Sequence, residues 1–262
     1  MTTLMAAMHS CRIEEGVALV TLNHPPVNAL TLEMLTELDG TFDSLAMDEA
    51  VKIIVLTGAG RVFVAGADIH MLASIPSSAD GEAIARHGQT ILNNIEDIEK
   101  PVIAAINGAC LGGGLELAMC CHIRIAAEDA RLGLPEINLG IMPGFGGTQR
   151  LCRLIGQSKA MELILTGEPI SAREAMSLGL VSQVVSADGL LRQAQGLARK
   201  MTGKSQPALR ASFRAIRQGT TQDLSDGLAL EARLFGALCD TEDRKEGTAA
   251  FLEKRQPRFT NR

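Results

Sequence analysis

Two glutamates stand in segments that ordinary folding needs explain poorly. Glu116 closes the run Asn107-Gly-Ala-Cys-Leu-Gly-Gly-Gly-Leu-Glu116, and Glu136 follows a proline in Arg131-Leu-Gly-Leu-Pro-Glu136. In the first run a buried strand over 102–106 enters three glycines and then a helix over 113–121. Such glycines let another backbone or a ligand come very near. The N–H of Gly113 then lies at the positive end of the helix. Glu116, three residues on, sits one turn away on nearly the same face. A donor and a carboxylate are side by side, which suits acid–base work on a group that develops negative charge. Glu136 opens a Gly/Pro-rich stretch that runs to Gly147. Long loops with this much fixed geometry commonly serve a site.

A third segment, Val64-Ala-Gly-Ala-Asp-Ile69, ends a strand and begins a helix. Gly66 permits close backbone approach there, and Asp68 is a good N-cap. N–H groups at such a junction are free to donate to a ligand. Each segment alone has a plainer explanation. A glutamate in the first turn of a helix is commonly a dipole partner, and three glycines can serve close helix packing alone. The joint occurrence of the three segments is what favours a site.

The elements that must position these residues alternate between strand and helix. Val17–Leu22 reads as a strand ended by Asn23-His-Pro-Pro26, and 30–46 as a helix with Thr31 as its cap. Val51–Leu56 is a run rich in β-branched residues, interrupted only by Lys52, as expected for a strand buried on both faces. Residues 62–64 are a short extended piece, 68–98 are largely helical around a loop at Pro76, and 122–127 are extended. This order predicts an α/β fold with right-handed crossovers. From about 150 onward strands nearly vanish, and helical windows follow at 157–166, 171–178, 188–202, 206–218 and 224–253. The one linker-like stretch, 202–207, divides a core over 1–200 from a helical segment over 201–262.

Composition narrows the function classes. With 46% hydrophobic and 21% charged residues, the chain is of ordinary globular type. It has no Trp, no Tyr and a net charge of −5, which argues against a nucleic-acid binder built on aromatic stacking. The last 62 residues are mildly basic, at net +3. The six cysteines, at 11, 110, 120, 121, 152 and 239, show no zinc or disulfide spacing and read as reduced core thiols of a cytoplasmic protein. The N-terminus lacks a basic, then apolar, secretion signal. The stretch 101–121 is interrupted by Asn107, four glycines and Glu116, so it is no membrane span. No P-loop, dinucleotide fingerprint or nucleophile elbow is present, and the five histidines are scattered.

Ile103-Ala-Ala-Ile-Asn-Gly-Ala-Cys-Leu-Gly-Gly-Gly-Leu-Glu-Leu-Ala-Met resembles the signature of the crotonase superfamily, the enoyl-CoA hydratase/isomerase family. Leu134-Pro-Glu-Ile-Asn-Leu-Gly-Ile-Met-Pro-Gly-Phe-Gly-Gly-Thr-Gln-Arg150 resembles a second family motif, and 240–255 the family's C-terminal helices. The likeness runs from about Ile13 to Phe259. It implies a right-handed ββα spiral followed by a helical trimerisation segment, in trimers or hexamers. It implies an oxyanion hole from the N–H groups of Ala67 and Gly113, catalysis by Glu116 and Glu136, and a water-orienting backbone at Gly144. It implies CoA contacts along Val27, Ala65, Ala67, Asp68 and Ile69, with Phe251 and Lys254 reaching a neighbouring subunit's CoA. His70 stands where many relatives have Lys, and His122 where Asp is common.

The pair of glutamates points to hydration of a 2-enoyl-CoA to a 3-hydroxyacyl-CoA, as in fatty acid β-oxidation. No metal or cofactor is implied, since CoA is part of the substrate. A related CoA dehydratase or double-bond isomerase is the enzymatic alternative. RNA binding, known among relatives, is the other, and charge and composition count against it.

Overall fold

The computed structural model describes residues 8–262. The first half of the chain alternates two strands with a helix. It runs β1 (His9–Glu14), β2 (Val17–Leu22), α1 (Leu32–Met47), β3 (Ile53–Gly58), β4 (Val62–Val64), α2 (Ile69–Ala73) and α3 (Ser78–Asp97). Next come β5 (Val102–Ile106), β6 (Ala109–Leu111), α4 (Gly113–Cys120), β7 (Ile123–Ala127) and β8 (Arg131–Gly133). A 3-10 turn at Pro135–Leu139 leads to α5 (Gly147–Ile155), α6 (Gln157–Thr166), β9 (Ile170–Ser171), α7 (Ala172–Ser177) and β10 (Gln183–Val185). Four helices end the chain: α8 (Leu190–Thr202), α9 (Gln206–Gly219), α10 (Leu224–Cys239) and α11 (Glu242–Leu252).

The strands form two sheets. One has the order β1-β2-β3-β5-β7-β10, and the other β4-β6-β8-β9. Three successive turns of the chain each give one strand to the first sheet and the next to the second, then a helical piece: β3-β4, β5-β6 and β7-β8. That is the expected ββα spiral. Among the described residues only the β1–β2 and β8–β9 pairs are antiparallel.

The larger sheet is covered on both faces, which is why β3 and β5 read as unbroken apolar runs. Alternate residues serve alternate cores. Ile53, Val55, Ile103 and Ala105 pack against Leu190, Ala194 and Ala198 of α8. Ile54, Leu56, Val102 and Ala104 face the main core with α1, α3 and α4. α1 is capped as its sequence predicts, with the Thr31 hydroxyl accepting from the Met34 N–H at 3.1 Å. It buries Met34, Leu35, Leu38, Phe42 and Leu45.

Several expectations are corrected. The window 224–253 is two helices, because Asp240 ends α10 and Thr241 caps α11 by accepting from the Arg244 N–H. Strands continue beyond 150 as β9 and β10, and α5 occupies a segment not expected to be helical. β1, β6 and β8 also lie outside the predicted strands. β6 and β8 have three residues each, too few to show a period of two. Of the six free thiols, Cys110, Cys120 and Cys121 are buried, but Cys11 is exposed and Cys152 and Cys239 are half-buried. Among the described residues no helix is long and apolar enough to cross a membrane.

The spiral demands contacts that only glycine allows. A Cβ on Gly114 would lie 2.4 Å from the Val64 carbonyl and 2.6 Å from the Val64 Cβ, so α4 seats against β4 only without it. Gly40, exposed on α1, has nothing within 4 Å of such a Cβ. The same substitution therefore has opposite signs at the two sites. Gly114→Ala is expected to cost about 1–3 kcal/mol through overpacking, and Gly40→Ala to gain about 0.5–1 kcal/mol through helix propensity. Urea unfolding of both variants reads the difference.

Candidate active site

The second sheet brings the three glycine-rich segments together. β4, β6 and β8 are parallel neighbours, paired Val64 with Cys110 and Leu111 with Gly133. Adjacent strands lie about 4.8 Å apart. Their carboxyl ends therefore deliver 65–68, 112–116 and 134–136 to one place. Ligands in parallel sheets commonly bind beyond these ends. A cavity of about 580 Å³ opens there, lined by Gly66, Ala67, Gly113, Glu116, Glu136 and Gly144 among others.

Two residues that line this cavity, Ala67 and Gly113, have backbone N–H groups with no protein acceptor among the described residues. Leu30 bridges Ala67 in parallel fashion: Leu30 N–H donates to the Gly66 carbonyl and Asp68 N–H to the Leu30 carbonyl. That pairing turns the Ala67 N–H away from Leu30. Gly66 reaches the required conformation at φ 132°. Gly113 is the first residue of α4, so its N–H has no intrahelical partner. A Cβ at Gly113 would come within 3.6 Å of the Ala67 nitrogen, which measures how close the two strand ends approach.

Glu116 is 1% exposed. Its Oε1 accepts two hydrogen bonds, from the Phe145 N–H at 2.8 Å and the Gly147 N–H at 2.7 Å. Among the described residues no protein group donates to its Oε2. Burial pushes the Glu116 carboxyl up to about 7, and the nearby Glu136 adds to the rise. The two N–H donors and the Arg150 cation pull the other way. Gly147 must be glycine for this arrangement, since a Cβ there would lie 2.9 Å from Glu116 Oε1.

Glu136 enters the cavity from the 3-10 turn, in which Pro135 holds the first position. Burial raises its carboxyl as well, and its Oε2 is buried without a hydrogen-bond partner. A Cβ on Gly112 would lie 3.1 Å from Glu136 Oε1. The two carboxyls thus differ in surroundings. Two donors favour the ionised form of Glu116, whereas nothing favours the ionised form of Glu136 beyond its own N–H.

The other singled-out residues are placed unevenly. Ala65 and Ile69 line the cavity, and Ile69 is 56% exposed. Val27 and Asp68 flank it: the Val27 carbonyl accepts from the Ala65 N–H, and Asp68 caps α2 by accepting from the Met71 N–H at 3.0 Å. Phe251 and Lys254, on the C-terminal helical segment, do not line the cavity of their own chain. His122 is half-buried and bonded to the backbone through both ring nitrogens. Its Nδ1 accepts from the Val102 N–H, its Nε2 donates to the Glu96 carbonyl, and burial lowers it to about 4.

Sequence reasoning did not single out Phe145, Gly147 or Arg150. The first two act through backbone N–H groups, which no side-chain pattern marks. Arg150 spans from α5 to α3 and to the Phe145 carbonyl, a long-range contact without a local signal.

Comparison with known proteins identifies the family. The family model described as enoyl-CoA hydratase/isomerase matches residues 12–262. A probable enoyl-CoA hydratase of Bacillus subtilis is 48% identical over 251 residues, covering 95% of this chain and 97% of that protein. A crotonyl-CoA hydratase of Syntrophomonas wolfei is 43% identical, covering 95% and 96%. The crystal structure of an enoyl-CoA hydratase from Bacillus anthracis superposes with a TM-score of 0.93 at 40% identity, covering 97% of this chain and all of that one. With a family model spanning nearly its whole length and relatives this similar, the chain belongs to the enoyl-CoA hydratase/isomerase family.

Proposed function

We propose that this protein adds water reversibly across the C2=C3 bond of a 2-enoyl-CoA, giving a 3-hydroxyacyl-CoA. The observation that carries the reading is the pair of carboxyls, Glu116 and Glu136, in one cavity with Ala67 and Gly113, whose N–H groups have no protein acceptor among the described residues. In this mechanism the thioester carbonyl accepts from the N–H groups of Ala67 and Gly113. Water oxygen bonds to C3, the π pair moves toward the thioester oxygen, and Glu116 takes the water proton. Glu136 then gives a proton to C2, and the C=O bond re-forms. Gly144 helps orient the water. The unequal surroundings of the two carboxyls support this division, with Glu116, held by two N–H donors, as base and Glu136, whose Oε2 has no partner, as acid. Losing one oxyanion donor commonly costs about 2.7–4 kcal/mol. Water addition is redox-neutral, so the reaction calls on no redox cofactor.

The acyl chain would lie between Leu72, Ile75, Ile84 and Ala85 on one side and Met142 and Phe145 on the other. CoA would follow Val27, Ala65, Ala67, Asp68 and Ile69, completed by Phe251 and Lys254 of a neighbouring subunit. A trimer, or a hexamer of two trimers, is proposed on the same ground. The helices α9 to α11 carry Ile216, Leu224, Leu228, Phe235, Phe251 and Leu252, all more than half exposed, as a surface awaiting cover. We place the protein in the cytoplasm, where its six free thiols suit a reducing environment.

Crotonyl-CoA hydration, followed by loss of enoyl-thioester absorbance, tests the reading. Glu116→Gln and Glu136→Gln are each expected to lower kcat by roughly 10²–10⁴-fold. Wild-type rates in both variants, or no turnover in the wild type, would reject the assignment. The pH profile is a second check. A raised carboxyl pKa means that the base is protonated on falling below about pH 7. The rate should therefore fall on the acid side of that value, approaching about tenfold per pH unit. A third check concerns the acyl chain. The cavity lining includes no Lys, Arg or His to meet a buried anion. An enoyl-CoA whose chain ends in a carboxylate should have a kcat/KM about 100-fold below its methyl-ended counterpart of equal length. Equal values would show that charge is met from elsewhere.

A further inference from the structure

The two N–H groups that hold Glu116 belong to a turn with no regular structure of its own, residues 141–146 and the first residue of α5. A trans peptide is planar, with its C=O and N–H pointing in opposite directions. Fixing a carbonyl therefore aims the N–H of the same peptide unit. Three consecutive units of this turn have their carbonyls fixed. The Gly144 carbonyl accepts from Gln89 Nε2 at 2.8 Å, and the N–H of that unit is Phe145's, which meets Glu116. The Phe145 carbonyl accepts from Arg150 Nη1 at 3.0 Å. The Gly146 carbonyl accepts from the N–H groups of Gln149 and Arg150, and the N–H of that unit is Gly147's, which again meets Glu116.

The Arg150 side chain holds the middle one of these three units, and the Arg150 backbone N–H helps to hold the last. Its guanidinium is also bonded to α3: Nε and Nη2 reach Glu96 Oε2 at 2.8 and 2.7 Å, and Nη2 reaches Asn93 Oδ1 at 2.6 Å. Its side chain is only 12% exposed, so this is a partly desolvated, multiply bonded cation. Gly146 leaves it room, since a Cβ there would lie 2.4 Å from Nη1. The Phe145 ring closes the contact with α3 by lying over Gly88, where a Cβ would come within 2.4 Å of the ring.

We propose that Arg150, braced on α3 by Glu96 and Asn93, is a positioning residue that holds the 144–147 turn so that its N–H groups fix the Glu116 carboxylate. Gln89 is its lesser companion. Neither lines the cavity, so each acts through the turn rather than on substrate. The inference rests on the hydratase reading for its kinetic consequence, but the tether has its own readout. Of the charged groups on elements packed around Glu116, Glu136 raises its pKa and Arg150 lowers it. Glu96 stands behind Arg150, Arg153 of α5 turns back to the Gln149 carbonyl, and Arg86 of α3 pairs with Glu82 at the surface.

Arg150→Gln should lower kcat for crotonyl-CoA at least tenfold with KM changed less than twofold, and should move the acid limb of the pH profile upward. Arg150→Lys keeps a cation but not the planar fork. It should return the acid limb to the wild-type position while leaving most of the kcat loss. Gln89→Leu, at an exposed position, should lower kcat about threefold to tenfold without lowering the melting temperature. The activity-independent measurement is a carboxyl NMR titration of Glu116 in the full-length protein, with its midpoint expected to rise in Arg150→Gln. An Arg150→Gln protein with kcat within twofold of wild type, or an unmoved Glu116 midpoint, overturns the proposal. Should Arg150→Gln fail to fold, Gln89→Leu decides on the same criteria, and wild-type kcat in that variant overturns it. If the wild type shows no hydration at all, the hydratase reading falls, and the NMR midpoint alone decides the tether.

Discussion

A carboxylate removed from water must find donors or give up its charge, and Glu116 is almost wholly removed. Its Oε1 is met by two backbone N–H groups from a turn roughly thirty residues further along the chain. That pair of bonds is the constraint on which the surrounding structure depends. It requires glycine at 147, a turn whose carbonyls are held from outside, and a helix, α4, seated close enough to present the side chain. Burial and donors act in opposite directions on the same group, which leaves its pKa near neutrality rather than at either extreme. A group so balanced can gain and lose a proton at ordinary pH.

The seating of α4 follows from the spiral. Each turn leaves a strand in both sheets, and the three short parallel strands β4, β6 and β8 end side by side. The segments beyond their carboxyl ends carry Ala67, Gly113 and the two glutamates, all of which line the cavity. Glycines at 112, 113 and 114 let α4 start against these strand ends without a side chain intervening. The larger sheet, buried between α8 and the main core, supplies the rigidity that such close approaches need. Positioning and stability are therefore the work of different sheets.

The helix α3 plays a double part. Toward the cavity it presents Ile84 and Ala85 to the acyl region. Toward α5 it presents Gln89, Asn93 and Glu96 to the turn that holds Glu116. Its Gly88 lets Phe145 lie flat between the two functions. The first half of this one helix thus lines the cavity, and its second half contacts the turn that holds Glu116.

Much of this was legible in the sequence, for local reasons. The run of triple glycine and Glu116, the capping of α1 by Thr31 and of α2 by Asp68, and the doubly buried strands β3 and β5 all follow from patterns spanning a few residues. Family membership rests on two such runs. What the sequence did not disclose is what joins distant residues. Strands β6 and β8 are too short to show a period, yet their pairing brings 112–116 beside 134–136. The donors to Glu116 are backbone groups, identical in every residue but proline, so their choice depends on chain path alone. Arg150 reads as an ordinary surface arginine until folding places Glu96 and the Phe145 carbonyl within its reach. The sequence by itself determined the family and which residues are candidates for the chemistry, because side-chain type and local spacing are written there. Only the tertiary structure decided how Glu116 is held and how far its pKa rises, because burial and long-range backbone donors exist only once the chain has packed.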